Sequence, residues 1–346
     1  MTRHGRSAGP GRRRVAGAVE ARGVRRRPRR QRGAALLLAM LILTLVATLA
    51  AGMVWQQWRG IEVEAAERTR SQGLWLLNGA LDWARLILRE DRRNGGPDHL
   101  GEPWALPLAE SRLSTFLAAD KNNTVDDDGP EAFLSGRIVD AQSRLNLLNL
   151  VHDDGAAAQK DLQALQRLCT ALGLPGETAG QIATGLRASG ASLDQIDVDT
   201  PDGKAQRSAM LLPDHVGQLA WYGVPPPVVA QLAPFVALLP THTSVNVNTA
   251  PAEVLMAAVA GLDRGSAERV IQMRQRKPFA TAADISAALP PALTPDATQI
   301  SFNSDYFEVQ GQLRFEQHVL RERSLVFRKG LDMIVLRRER MGPQDS

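Results

Sequence analysis

The chain has 346 residues, enough for about two domains beside any membrane segment, with 41 basic and 37 acidic side chains and a formal charge of +4. That total hides a split: residues 1–33 hold twelve Arg and one Glu, so residues 34–346 carry 29 basic against 36 acidic groups, a net of −7. An acidic body argues against holding nucleic acid by phosphate neutralisation, and the lone Cys169 excludes an internal disulfide and a cysteine metal cage.

Residues 1–30 contain Arg, Gly, Ala and Pro with almost no large apolar side chain, too little to bury for folding. They read as a cytoplasmic tail that sets orientation by its positive charge and leaves the remainder on the far side of a membrane. Arg32-Gly33 then opens an uncharged run from Ala34 to Trp58, with Arg59 the next charged residue. As a helix rising about 1.5 Å per residue, that run spans a bilayer core, with Leu38, Leu41, Leu45 and Leu49 among its lipid-facing residues. A secretory signal peptide would have a shorter apolar core and a small-residue cleavage site after it. Here the run grades into a soluble helix.

Helical spacing continues from Gln56 to Glu90, with Trp58, Ile61, Ala65, Leu74, Leu77, Leu81, Ala84 and Leu88 as candidates for one face, and 59–94 forms the half of the helix beyond the membrane. Trp75, Leu76 and Trp83 read as core of a helix–sheet contact, and Asp82 and Glu90 as surface partners of Arg85 and Arg89. Asn94-Gly95-Gly96-Pro97 ends the helix with glycine and a proline beyond.

Residues 95–155 are mixed. Leu108–Ala119 reads as a short helix entered after Pro107, Lys121–Pro130 as an acidic turn, Leu134–Asp140 as a strand and Arg144–Val151 as an extended or turn segment. From 156 to 300 the chain reads as short amphipathic helices separated by Gly and Pro: 156–172, 176–188, 227–239, then 251–260, 266–276 and 282–289. Asn248 or Thr249 is expected to cap the 251–260 helix, and Thr281 the last. The tail, 301–340, alternates apolar and polar residues around turns at Gly311 and Lys329-Gly330, which predicts three short antiparallel strands. Strands on both sides of a helical block predict an α+β fold: a long N-terminal transmembrane and amphipathic helix on a small antiparallel sheet, with a large inserted all-α domain.

No catalytic constellation emerges. Six histidines lie far apart and no Gly-x-Ser-x-Gly elbow is present, so an enzyme is not expected. Asp194, Asp197, Asp199 and Asp202 with Gly203 put hard oxygen ligands at alternating positions of a turn, a pattern suited to calcium or to a solvated acidic loop. It is not an EF-hand, since Ser208 stands where the twelfth-position Glu would be. Asp126-Asp127-Asp128-Gly129 is a second acidic turn, read as solvated. Residues 245–289 resemble a helix–hairpin–helix, but the hairpin Gly261-Leu-Asp-Arg-Gly265 lacks the Gly-x-Gly spacing and places Asp263 among the amides, which favours a packing unit over a DNA grip.

A basic leader ending in Gly before a long apolar helix that runs into an α+β body resembles the type IV prepilin class. The stretches RQRGAALLLAM (30–40), WLLNGALDWARLILREDRR (75–93), EPWALPLAESRLSTFLAAD (102–120), SGRIVDAQSRLNLLNLV (135–151) and VNVNTAPAEVLMAA (245–258) resemble, within it, the K subunits, minor pseudopilins of type II secretion systems. The resemblance implies cleavage between Gly33 and Ala34 by a prepilin peptidase, methylation of the Ala34 amine, and an inner-membrane protein with its bulk in the periplasm. Most of the class has Glu at the fifth mature position; here that residue is Leu38, and the K subunits are similar in lacking the acid. A subunit without that carboxylate suits the end of a filament better than its interior, where the acid offsets a neighbour's terminal amine. The implied partners are the minor pseudopilins I and J, the major pseudopilin, the inner-membrane assembly platform and the prepilin peptidase. The K subunits also carry an acidic calcium loop, from which this chain departs after Gly203. The other reading left open is a membrane-anchored protein that takes up DNA through its helix–hairpin–helix-like region.

Overall fold

A computed structural model describes residues 32–112, 132–152, 155–194, 211–315 and 318–342. The chain falls into two units, 1–67 and 68–346, and the first helix, α1 (Arg32–Asn94), contributes to both.

In the first unit α1 is exposed along its length, and Leu38, Leu41, Leu45 and Leu49 all stand clear of other protein. Among the described residues it is the one helix long and apolar enough to cross a membrane. Its polar side chains are satisfied locally: the Thr44 and Thr48 hydroxyls donate to the Leu41 and Leu45 carbonyls at 2.9 and 2.8 Å. Internal partners are what an apolar solvent demands. Arg59 lies over the Trp55 ring at 4.8 Å, an aromatic and basic belt at the end of the run.

In the second unit the same helix packs on a sheet. Leu77, Leu81, Ala84 and Leu88 recur at helical spacing and are buried. The helix stops where Gly95 takes a left-handed φ of 68° and its amide donates to the Asp91 carbonyl at 3.2 Å. The sheet has five antiparallel strands in the order β1 (Leu108–Arg112), β2 (Ala132–Asp140), β7 (Tyr306–Phe315), β8 (His318–Lys329) and β9 (Asp332–Arg340). Gly311, expected at a turn, instead lies inside β7, paired with Gly136 of β2 and Glu322 of β8; it allows a close approach there, since a Cβ would stand 3.2 Å from Leu77 Cδ2. The Arg85 guanidinium donates twice to the Met333 carbonyl, at 2.9 and 2.7 Å, and ties α1 to β9.

Between β2 and β7 the chain makes a helical insert with its own apolar core. Its elements are β3 (Leu145–Asn146), α2 (Asn149–His152), α3 (Gly155–Ala171), α4 (Thr178–Asp194), α5 (Pro226–Leu232), β4 (Val236–Ala237), β5 (Val245–Asn246), α6 (Ala252–Ala258), α7 (Arg264–Arg276), α8 (Ala282–Ala288) and β6 (Ile300–Ser301). Two short parallel ladders, β3 with β4 and β5 with β6, close it. The fold is therefore α+β, as the order of periods predicts.

Several local expectations are corrected. Leu108–Arg112 is a strand rather than the start of a helix, because its backbone pairs with Leu134 and Gly136 of β2; the rest of that expected helix lies outside the described residues. Tertiary pairing there overrides a weak local preference. Residues 144–151, read as extended or turn, are a two-residue strand, Leu145–Asn146, followed by a turn that runs into a single helical turn at Asn149–His152. The helix expected over 227–239 ends at Leu232, where Pro234 breaks the ladder and a 3-10 turn leads into β4. Neither Asn248 nor Thr249 caps α6; Pro251 holds that position, because both side chains are used elsewhere. Glu90 pairs with Arg93 rather than Arg89, whose guanidinium reaches the Leu331 carbonyl at 3.1 Å. The Thr281 cap is present, with Asp284 completing a capping box.

Candidate functional site

Two arrangements carry the functional argument. One is the outer face of α1; the other is a buried polar junction where α1, the sheet and the insert meet.

Gly33 and Ala34 lie in the first turn of α1 and are exposed, so the bond expected to be cut is not enclosed by the described residues. Further along, Trp75 is 74 % exposed, Trp83 42 % and Leu86 55 %. With exposed Gly79 they form a ridge at positions i, i+4, i+8 and i+11, on the side opposite the buried Leu77–Leu88 stripe. This corrects the reading of Trp75 and Trp83 as core. The buried aromatic is Trp104, edge-on to Phe307 at 5.2 Å, with its indole N–H donating to Glu102 at 2.8 Å. Trp83 also stands at the rim of a cavity of about 260 Å³ lined by Leu77, Trp104, Leu106, Ile138 and Val309. The ridge and the cavity thus lie side by side on one helix.

The junction is polar and almost sealed. Asp140, 1 % exposed at the end of β2, accepts from the Gln142 amide (2.8 Å), the Asn246 side-chain amide (3.0 Å), the Thr249 hydroxyl (2.6 Å) and the Ser304 hydroxyl (2.6 Å). Asn246 also donates to the Asp98 carbonyl at 3.1 Å. Arg328, 2 % exposed, pairs with Asp91 at 2.8 Å and with Asp98, and lies over the Phe307 ring at 4.7 Å. Burial pushes the Asp140 carboxyl up to about 6 against the pull of its hydrogen-bond donors. Burial likewise raises Asp91 to about 7, helped by its hydrogen bond to Glu102 and by the negative charges of Glu102 and Asp98, with Arg328 pulling the other way. The junction fixes where the chain leaves the sheet for the insert and where it returns. Asparagine side chains repeat this role nearby: Asn248 brackets Phe279, accepting its N–H and donating to its C=O, both at 2.9 Å.

Of the residues expected to hold calcium, Asp194 is the last residue of α4, while Asp197, Asp199 and Asp202 lie outside the described residues, as does Asp126-Asp127-Asp128. The described residues do bring Asp91, Asp98 and Glu102 within 4.8 Å of one another. That group already faces the Arg328 guanidinium. In the helix–hairpin–helix-like stretch Asp263 caps α7, its carboxylate accepting the Ser266 amide at 2.8 Å. The amide that an anion would seek is thus already bonded to a carboxylate.

The family described as "Type II secretion system (T2SS), protein K" matches residues 245–303, and its first-region model matches 143–241. A protein named "Type II secretion system protein K" from Pseudomonas aeruginosa is 30 % identical over 278 residues, which is 75 % of this chain and 78 % of that protein. The chain belongs to the type II secretion system protein K family. A Pectobacterium carotovorum protein of the same name is 27 % identical over 338 residues, covering 90 % of this chain and 96 % of that one. A chain in the crystal structure of the GspK-GspI-GspJ complex from enterotoxigenic Escherichia coli shares the fold, with a TM-score of 0.60 at 21 % identity over 80 % of this chain and 98 % of the other. Membership makes this a minor pseudopilin and a component of the protein-secretion machinery. The 245–289 stretch that resembles a DNA-gripping module falls inside the protein K match, where its apolar residues belong to the insert core.

Proposed function

We propose that the chain is cut between Gly33 and Ala34 and stands as a single-pass inner-membrane protein with its N-terminus cytoplasmic and its body periplasmic. There it joins minor pseudopilins I and J at the pseudopilus tip, where it starts or caps the filament. The major pseudopilin and the inner-membrane platform belong to the same assembly. One observation carries this reading: on the outer face of the body half of α1 Trp75, Gly79, Trp83 and Leu86 are exposed in a row, flanked by the charged Asp82 and Glu90. Aromatic ridges of that kind are where protein interfaces concentrate their affinity. The bulk of the insert supports an end position, because a body enlarged between β2 and β7 is harder to stack side by side than a bare sheet. Leu38 in place of the acid supports the same position.

Calcium held by Asp194, Asp197, Asp199 and Asp202 forms part of the proposal, supported by their hard oxygen donors at near-alternating positions. Calorimetric titration is expected to give one saturable event that Asp197→Asn and Asp199→Asn together remove. Absence of heat would leave a solvated acidic loop.

The interface is tested by mixing the protein with pseudopilins I and J and measuring the complex mass by light scattering. The unmodified chain is expected to enter a complex of defined mass. The double change Trp75→Ser with Trp83→Ser is expected to lose it while keeping its unfolding temperature. Undiminished binding by the double variant would place the interface elsewhere.

A further inference from the structure

Four carboxyl groups meet at the junction and a single guanidinium answers them. Asp91 closes the last turn of α1, and Asp98 and Glu102 follow in the next loop, the three lying within 4.8 Å of one another. Asp140 lies behind them at the end of β2, joined to Asp98 through Ser304, whose backbone amide donates to the Asp98 carboxylate and whose hydroxyl donates to Asp140, and through the Asn246 side chain, which donates to Asp140 and to the Asp98 carbonyl. The buried cation among them is Arg328 of β8, paired with Asp91 and Asp98. Glu102 faces the cluster from the loop, held by the His99 amide and the Trp104 indole, both at 2.8 Å. Among the described residues the hydrogen bonds from the insert to Asp140 come from neutral groups, the Gln142 amide, Asn246 and Thr249, and just before β7 the neutral Ser304 adds another. Arg93, at the end of α1, is turned to Glu90 at 3.4 Å. A surplus of negative charge in a largely buried site is relieved by taking up protons. The proton has a route, since a cavity of about 320 Å³ lined by Leu100, Trp104, Arg137, Asp140, Ser143 and Thr249 reaches Asp140.

We propose that this junction is an acid-tightened clasp: protonation of Asp91 and Asp140 on the acid side of neutrality removes the surplus charge and locks the end of α1 and both ends of the insert onto the sheet. Above neutrality the same carboxylates repel one another and the clasp loosens. The raised values of Asp91, about 7, and Asp140, about 6, agree with the charge count.

Hydrogen exchange of the full chain in detergent tests this, followed by mass spectrometry at pH 5.5 and pH 8 and corrected for the intrinsic pH dependence of exchange. Peptides spanning 91–104 and 245–249 are expected to be protected at least about tenfold more at pH 5.5, while the α3–α4 peptides stay level. Asp91→Asn with Asp140→Asn is expected to give the protected level at both pH values, and exposed Glu90→Gln to behave as the unmodified chain. Equal protection at both pH values in the unmodified chain would overturn the clasp, as would a pH effect that survives in the double variant. Should that variant not fold, isotope-edited infrared spectra of the unmodified chain decide: carboxyl protons at the clasp appear between pH 8 and 5.5 if it exists, and no new protonated carboxyl appears in that window if it does not.

Discussion

The two halves of α1 share one backbone geometry but not one composition, uncharged from Ala34 to Trp58 and interspersed with charges beyond, and they live in opposite surroundings. From Ala34 to Trp58 every large apolar side chain is exposed, whereas from Leu77 to Leu88 the helix buries one stripe on the sheet and leaves another bare. The difference teaches that apolarity alone does not say where a helix goes. An all-round apolar surface can be covered only by lipid or by other subunits. A one-sided stripe finds its partner within its own chain, and Trp75 and Trp83 stand exposed on the other side of the helix.

The comparison can be broken most severely at the far end of the body half. Arg328→Ala leaves Asp91 and Asp98 buried without their cation, and a loss of about 3–5 kcal/mol is expected in chemical denaturation of the body. Leu88→Ala, at a fully buried position, is expected to cost about 3 kcal/mol, while Leu41→Ala in the apolar half leaves the unfolding of the body unchanged. Equal effects at the two positions would erase the distinction between the halves. Leu45→Arg reverses the assay: body stability stays the same, but insertion into the membrane is disfavoured by about 2.5–3.5 kcal/mol, read as protein recovered in the soluble fraction.

The smallest effect is the pH response. Asp140 and Asp91 bind their protons more tightly folded than unfolded, having been raised from 3.8 to about 6 and about 7. Their contribution to stability is therefore complete below about pH 4 and is lost as pH rises through 6 and 7. Asp296, lowered to about 2 chiefly by Lys160, contributes with the opposite sign and only at more acid pH. The unfolding temperature of the body is expected to rise from pH 8 to pH 5 and to fall again below pH 4. A monotonic fall from pH 8 downward would contradict these assignments.

Much of the fold is legible in the sequence because its periods are long and unambiguous. The uncharged run needs no context, and neither does the alternation of residues 306–340, seen here as three strands of ten, twelve and nine residues. What was not legible is local and cross-chain. The side on which Trp75 and Trp83 lie depends on which face of α1 meets the sheet, and Leu77 and Leu81 take that face. Leu108–Arg112 becomes a strand only because β2 offers it an edge. The junction left a partial signal. The stretches 135–151 and 245–258, two that carry the family resemblance, hold Asp140, Asn246 and Thr249, which hydrogen-bond to one another across more than a hundred residues. Arg328 gave none: in the sequence it is one arginine among many at the end of a strand.

The most direct measurement is the N-terminal mass of the protein produced together with an active prepilin peptidase. A mature chain beginning at Ala34, one methyl group heavier, is the predicted result and assigns the apolar half of α1 to a processed pseudopilin helix. A chain that keeps Gly33 beside the active peptidase would contradict the account and leave the apolar half as an uncut anchor.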